Sequence, residues 1–222
     1  MSYILNIETA TTNCSVSVAL NGQLCTLEEN NSGSYSHAEK LHLLIQKAVE
    51  NTGIQIRDLA AIAVSKGPGS YTGLRIGVSA AKGLAYALNI PLIAVPTLQA
   101  LACQIKTVSG FIIPLLDARR MEVYTAVYDN EYKEVSATQA KVLSVDSFSS
   151  YLKKHQLHFI GNGVEKTKAI IKHPNANFVE GKLPSANEMC VLSHIAFKKN
   201  SFEDVAYFEP FYLKDFISHS KK

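Results

Sequence analysis

The chain opens with short apolar runs of strand length and only later develops helical spacing. Tyr3 to Thr9 reads as a strand. Ser15 to Leu20 alternates with period two, and Asn21-Gly22 predicts a tight hairpin turn into a third strand, Gln23 to Glu28. A loop rich in Asn, Ser and Gly, Asn30 to Ser34, precedes a helix from about Ser36 to Asn51. Ser36 is its expected N-cap, with Glu39 completing a capping box. A strand (Ala60 to Val64), a helix (Thr72 to Leu88), a strand (Leu92 to Val95) and a helix from Thr97 follow. The order βββαβαβα is a three-strand meander joined to parallel crossovers. A similar order starts again at half-length. Gly110 to Leu116, Glu122 to Tyr128 and a segment around Lys141 to Leu143 read as strands, followed by a short helix from about Asp146. His158 to Ile160 (strand), Gly163 to Ile171 (helix), Asn177 to Val179 (strand) and Ser185 to Lys199 (helix) complete it. The recurrence predicts an α/β protein of two related lobes, residues 1–105 and a smaller lobe of residues 106–222.

Two helices carry apolar positions beyond those a single core requires. In Thr72 to Leu88, Gly73, Gly77, Ala81 and Ala85 form a small-residue stripe at i, i+4 spacing. Leu74, Ile76, Val78, Leu84 and Leu88 lie on other faces, and Arg75, Ser79, Lys82 and Tyr86 make the one polar strip. A helix so apolar is buried nearly all round. One side can face its own sheet, and a second helix, from this lobe or from a partner, can pack closely on the glycine stripe. In the helix Ser36 to Asn51, Leu41, Leu44, Ile45 and Ala48 face inward while Leu43 lies off that stripe.

The turn into Thr72 to Leu88 is Lys66-Gly67-Pro68-Gly69-Ser70-Tyr71-Thr72-Gly73. A Gly-Pro-Gly turn between strand and helix gathers backbone N–H groups at a helix N-terminus, which suits an anion; alternatively, the glycines simply permit close packing. The known phosphate loops do not match. Walker A requires Gly-Lys-Ser/Thr after its second glycine, and the dinucleotide fingerprint spaces its glycines differently.

Composition narrows the class. With 222 residues, 47% of them apolar and 18% charged, the chain can bury a large core and has little polar material to cover it, which favours a partner interface. The net charge of +3 arises in residues 101–222 and is too small for a nucleic-acid footprint, so Lys214, Lys221 and Lys222 read as a solvated tail. Cys14, Cys25, Cys103 and Cys190 are scattered, against a zinc ribbon or a disulfide scaffold. No apolar run approaches the roughly 20 residues of a membrane span, and Met1-Ser2-Tyr3 lacks a basic leader, so a cytoplasmic setting is expected.

Candidate chemistry is sparse. A helical metal pair needs positions i and i+4, about 40° apart; His37 and His42 are i and i+5, about 140° apart. Ser79 sits in a near Gly-x-Ser-x-Gly context, but inside a helix rather than on a strand-to-helix turn. Asp117-Ala118-Arg119 ends a strand, either as an anion site or as a turn held by a local ion pair.

Three blocks together point to a family. Ile7-Glu8-Thr9-Ala10-Thr11 with Cys14-Ser15-Val16, the run Gly67 to Gly77, and Leu116-Asp117-Ala118-Arg119 with Glu122-Val123-Tyr124 resemble the TsaB (YeaZ) family of bacterial tRNA threonylcarbamoyladenosine synthesis. Beyond residue 130 only Gly161-Asn162-Gly163 and Pro210-Phe211-Tyr212-Leu213 continue it. The resemblance implies a two-lobed actin-like ATPase (ribonuclease H-like) fold. It also implies a non-catalytic subunit that pairs with its paralogue TsaD, self-associates when alone, and reaches tRNA only through the complex, with the ATPase TsaE binding the assembled pair. TsaD carries a metal-binding His-x-x-x-His; here the second position is Leu41, so no metal is expected. Glu8 stands where the family usually has Asp, against Mg-ATP chemistry, and reads as a carboxylate capping the Thr9 to Asn13 turn. The partner face implied comprises His37, Leu41, Leu43 and Leu44 on one helix. On the other it comprises Tyr71, Gly73, Leu74, Arg75, Gly77, Val78, Ala81, Lys82 and Ala85. No cofactor is expected beyond weak nucleotide binding at a subunit interface. The competing class is an enzyme in its own right, a metal-dependent glycoprotease-like peptidase or a sugar-kinase-like ATP-dependent enzyme.

Overall fold

Period-two runs rich in Ile, Val and Ala become ten strands in two sheets, in the computed structural model that describes residues 1–31 and 36–214. The first sheet contains β1 (Tyr3–Glu8), β2 (Cys14–Leu20), β3 (Gln23–Asn30), β4 (Leu59–Gly67) and β5 (Leu92–Pro96), in the order β3-β2-β1-β4-β5. The second contains β6 (Phe111–Asp117), β7 (Glu122–Tyr128), β8 (Glu134–Val142), β9 (Leu157–Ile160) and β10 (Ala176–Val179), in the order β10-β9-β6-β7-β8. Turned end for end, that is the same arrangement. In each sheet the first strand pairs antiparallel with the second and parallel with the fourth. The central strands are buried on both faces, which is why they read as continuous apolar runs.

Six helices cover these sheets: α1 (His37–Thr52), α2 (Tyr71–Leu88), α3 (Thr97–Ala102), α4 (Ser149–Leu152), α5 (Val164–Ile170) and α6 (Ala186–Lys198). The chain is thus βββαβαβα twice. α1 and α2 bury Leu41, Leu44, Ile45, Ala48, Val78 and Ala81 against one face of the first sheet. Each large side chain so buried contributes about 1.5–3 kcal/mol. The opposite face is covered by α6, whose Ala186 and Met189 join Ile4, Ala61, Ala63, Ile93 and Val95. Reciprocally, Leu98, Leu101 and Ala102 of α3 pack with Ile112, Leu116, Ala126 and Tyr128 of the second sheet. The two cores therefore exchange helices, and they do not follow the division of the chain at residue 105.

Two local expectations change. Ser36 is at the N-cap of α1, but its hydroxyl donates to Asn30 Oδ1 (3.3 Å) and makes no cap bond, so the capping box with Glu39 does not form. The Asn30 to Ser34 loop lies partly outside the described residues. The third strand of the second lobe runs Glu134–Val142, far longer than the segment around Lys141 to Leu143, because an edge strand needs little hydrophobic alternation. After α6, residues 201–214 form a strap. Glu203 N donates to Leu92 O (2.9 Å), extending the β5 edge, and Val205 and Phe208 pack on the first core. No described helix is long and apolar enough to cross a membrane.

Candidate functional site

The two lobes place a carboxylate at the same structural point. Glu8 ends β1 and Asp117 ends β6, and each accepts a backbone hydrogen bond from two residues on: Ala10 N to Glu8 Oε1 (2.6 Å), Arg119 N to Asp117 Oδ1 (2.6 Å). The following strand-to-helix turns match as well, Gly67-Pro68-Gly69 before α2 and Gly161-Asn162-Gly163 before α5, with Gly67 and Gly161 at φ of 107° and 112°. This equivalence went unread in the sequence, although the paired Gly-x-Gly turns were its visible trace.

The two carboxylates lie in different surroundings. Glu8 is wholly buried; its Oε1 also accepts from Ser65 Oγ (2.8 Å), while Oε2 has no hydrogen-bond partner among the described residues. Burial raises its pKa to about 7, outweighing the bonds from Ala10 and Ser65 that favour the ionised form. It caps the turn after β1, as expected. Asp117 forms an ion pair with Lys166 (2.7 Å), whose ammonium also reaches the Arg120 and Glu122 carbonyls. The Asp117 to Arg119 segment is thus a turn held by an ion pair, and Lys166 supplies the cation.

The Gly-rich turn before α2 is packed against its own lobe and the strap. Gly67 N donates to Thr97 Oγ1 (3.1 Å), Ser70 N to Ala10 O (2.7 Å) and Gly73 N to Ser70 Oγ (3.3 Å). The strap lies directly over it: Phe211 N donates to Lys66 O (2.7 Å), and a Cβ on Gly67 would sit 2.8 Å from the Phe211 carbonyl oxygen. Three of the turn's N–H groups, those of Gly67, Ser70 and Gly73, are thus engaged within the chain, as the close-packing alternative requires. The histidines do not converge. His37 is buried, its Nε2 donating to Thr11 O (2.7 Å) with its pKa lowered by burial, whereas His42 is exposed. Among the described residues no group of three His, Cys, Asp or Glu side chains could hold a metal.

What remains open is a groove of about 580 Å³ between α1 and α2. Its walls are Ala38, Ile76, Ala80, Gly83 and Leu84, with His42, Arg75 and Ser79 as the polar members. Along α2, Ser79, Gly83 and Ala87 form a second stripe of small residues at i, i+4, all exposed, and a Cβ on Gly83 would meet nothing within 4 Å. A larger cavity, about 720 Å³, lies between α3, α6 and the β7–β8 hairpin, walled by Gln99, Cys103, Tyr132, Val191 and Ile195. It contains none of the partner-face residues named from the sequence.

The residues read from the sequence as a partner face divide between an inward and an outward side. Gly73 and Gly77 point inward, where a Cβ would collide with the Thr9 carbonyl and hydroxyl oxygens; Thr9 Oγ1 itself donates to Gly73 O (2.8 Å). Leu74, Val78, Ala81 and Ala85 share that inward side, as do His37, Leu41 and Leu44 of α1, so these nine are buried within the chain. Leu43 is 53% exposed and Arg75 is exposed beside the groove, while Tyr71 is half-buried. Lys82 turns away to donate to the Ala206 and Phe208 carbonyls of the strap (3.1 and 2.9 Å). The expectation that α2 is buried nearly all round does not hold, since Thr72, Arg75, Ser79, Gly83, Tyr86 and Ala87 are exposed, and the stripe read from the sequence is the inward one.

Two lobes of one strand order, with strand-end acids at equivalent points, define a two-lobed actin-like ATPase fold. Component A of (R)-2-hydroxyglutaryl-CoA dehydratase from Acidaminococcus fermentans has this fold, at 10% identity and a TM-score of 0.52 over 90% of this chain and 100% of that one. The chain belongs to the family described as TsaD: tRNA N6-adenosine threonylcarbamoyltransferase, whose model matches residues 31–220, and within it to the TsaB (YeaZ) branch. Its relatives include the tRNA threonylcarbamoyladenosine biosynthesis protein TsaB of Escherichia coli, 28% identical over 98% of this chain and 97% of that protein. TsaB of Bacillus subtilis is 43% identical over a shorter stretch, 44% of this chain and 42% of that protein. YeaZ from Pseudomonas aeruginosa superposes with a TM-score of 0.80 at 25% identity, covering 96% of this chain and all of that one.

Proposed function

We propose that this chain is a subunit of the machinery for tRNA threonylcarbamoyladenosine biosynthesis, and that it works by docking TsaD along the α1/α2 groove. The observation that carries the reading is the exposed Ser79-Gly83-Ala87 stripe beside Ile76, Ala80 and Leu84. A helix laid into such a groove approaches closely, because no side chain at Gly83 holds it away, and it covers apolar surface that α1 and α2 leave in water. The relatives named TsaB and the match to the TsaD family model support the biochemical context. On this reading the chain holds no reacting group. Transfer of threonylcarbamoyl belongs to TsaD, TsaE binds the assembled pair, tRNA is reached through the complex, and the free chain pairs with itself through the same groove. The sealed position of Glu8 favours this over a peptidase or a sugar-kinase-like enzyme.

The test is Gly83→Leu. The position has open space around it, so the monomer should remain folded with an unchanged circular dichroism spectrum. Overpacking a helix contact costs about 1–3 kcal/mol, so affinity for TsaD should fall by about tenfold or more. Wild-type affinity in a calorimetric titration of the folded variant would show that the groove is not the docking site.

A further inference from the structure

The groove is not uniform in charge. His42 and Arg75 line it, no acidic residue does, and α2 contains neither Asp nor Glu. Among the described residues no carboxylate lies within 4.0 Å of the Arg75 guanidinium. That guanidinium is nevertheless held. Its Nη1 donates to Tyr71 Oη (3.2 Å), and Cζ lies 5.3 Å from the Tyr71 ring centroid. The Tyr71 ring in turn packs on Tyr212, centroids 4.9 Å apart and planes inclined by 37°. Tyr212 belongs to the strap, which is fixed on either side of it. Phe211 N is bonded to Lys66 O, the Ala206 and Phe208 carbonyls to Lys82 Nζ, and Lys214 pairs with Glu122 of the second lobe.

We propose that Tyr212 is a positioning residue of the docking face. Through Tyr71 it holds the Arg75 guanidinium at the groove, ready to receive a carboxylate from the docking helix of TsaD. Two consequences follow from charge alone. A second copy of this chain brings another Arg75 to the groove with no lining acid, so self-pairing offers the guanidinium no carboxylate from the groove. A partner helix that combines small or apolar residues with a carboxylate is preferred, and the groove therefore selects TsaD over self. The inference rests on the reading that TsaD docks here.

The experiment titrates the full chain with TsaD from the same organism at two salt concentrations, and sizes the chain alone by sedimentation. Arg75→Ala and Tyr212→Ala should each weaken binding, by about tenfold for a charge pair shielded from water, and each should flatten the salt dependence. Tyr212→Phe keeps the ring and should bind as wild type does. The double variant Arg75→Ala with Tyr212→Ala should be no weaker than Arg75→Ala alone, because the strap acts through the arginine. Arg75→Glu should lose TsaD and gain self-association, an outcome that simple misfolding would not produce. Additive effects in the double variant, or an unchanged affinity and salt slope for Tyr212→Ala, would overturn the positioning role while leaving the docking site in place. Failure of the wild-type chain to bind TsaD would overturn both.

Discussion

Glu8 carries a carboxyl group into a place that water does not reach, and stability should register it. The unfolded chain loses this proton near pH 4.5, the folded chain near pH 7. Below 4.5 both states are protonated. Between 4.5 and about 7 the unfolded state releases a proton that the folded state keeps, so stability falls as pH rises through that window. Above it the whole cost stands, about 3 kcal/mol. His37 acts in the opposite sense: its lowered pKa makes stability fall as pH drops below 6.5. The difference between wild type and Glu8→Gln therefore isolates Glu8. Glutamine keeps an acceptor for Ala10 N and Ser65 Oγ without the charge, so the variant should lack the decline between pH 4.5 and 7 and be the more stable protein at pH 8. Urea unfolding at stepped pH measures both curves; parallel curves would assign the slope to another group.

α2 is an element with two stripes and one strap. Its inward stripe exists because Thr9 approaches Gly73 and Gly77 too closely for any side chain. Its outward stripe is exposed because nothing among the described residues covers it. At its edge, Lys82 holds the strap by two carbonyls. Lys82→Met retains the aliphatic stem and removes the donors, so it should cost about 1 kcal/mol. The loss should be local. Amides of residues 203–212 should exchange hydrogen faster while those in the middle of α2 do not change. Equal protection of the strap in both proteins would mean that Phe208 and the Phe211–Lys66 bond suffice to hold it.

At the scale of the whole molecule the exchanged helices join the lobes into one unit. Residues 1–105 contain the complete first sheet but lack α6, which leaves the face built from Ile4, Ala61, Ala63, Ile93 and Val95 bare. That fragment should bind a hydrophobic dye and aggregate, whereas the full chain should unfold in one cooperative transition. A soluble, dye-silent 1–105 fragment with native-like circular dichroism would show that the first lobe is self-sufficient.

Much of this could be read before any fold was known, and the boundary has a physical cause. Period-two and 3.6-residue patterns, the Asn21-Gly22 turn and the Gly-Pro-Gly turn are local, so the element order βββαβαβα and the two-lobed class follow from the residues themselves. The capping of the turn after β1 by Glu8 is local too. Which stripe of α2 faces inward is not, because it depends on Thr9, in the turn after β1 and distant from α2 along the chain. The same holds for Lys82, whose partners at 206 and 208 leave no mark on the sequence around it, and for α6 on the first sheet. Sequence alone determined the elements and the family they belong to. Tertiary structure decided the faces, because a face is defined by what packs against it, and here the packing residues come from distant parts of the chain.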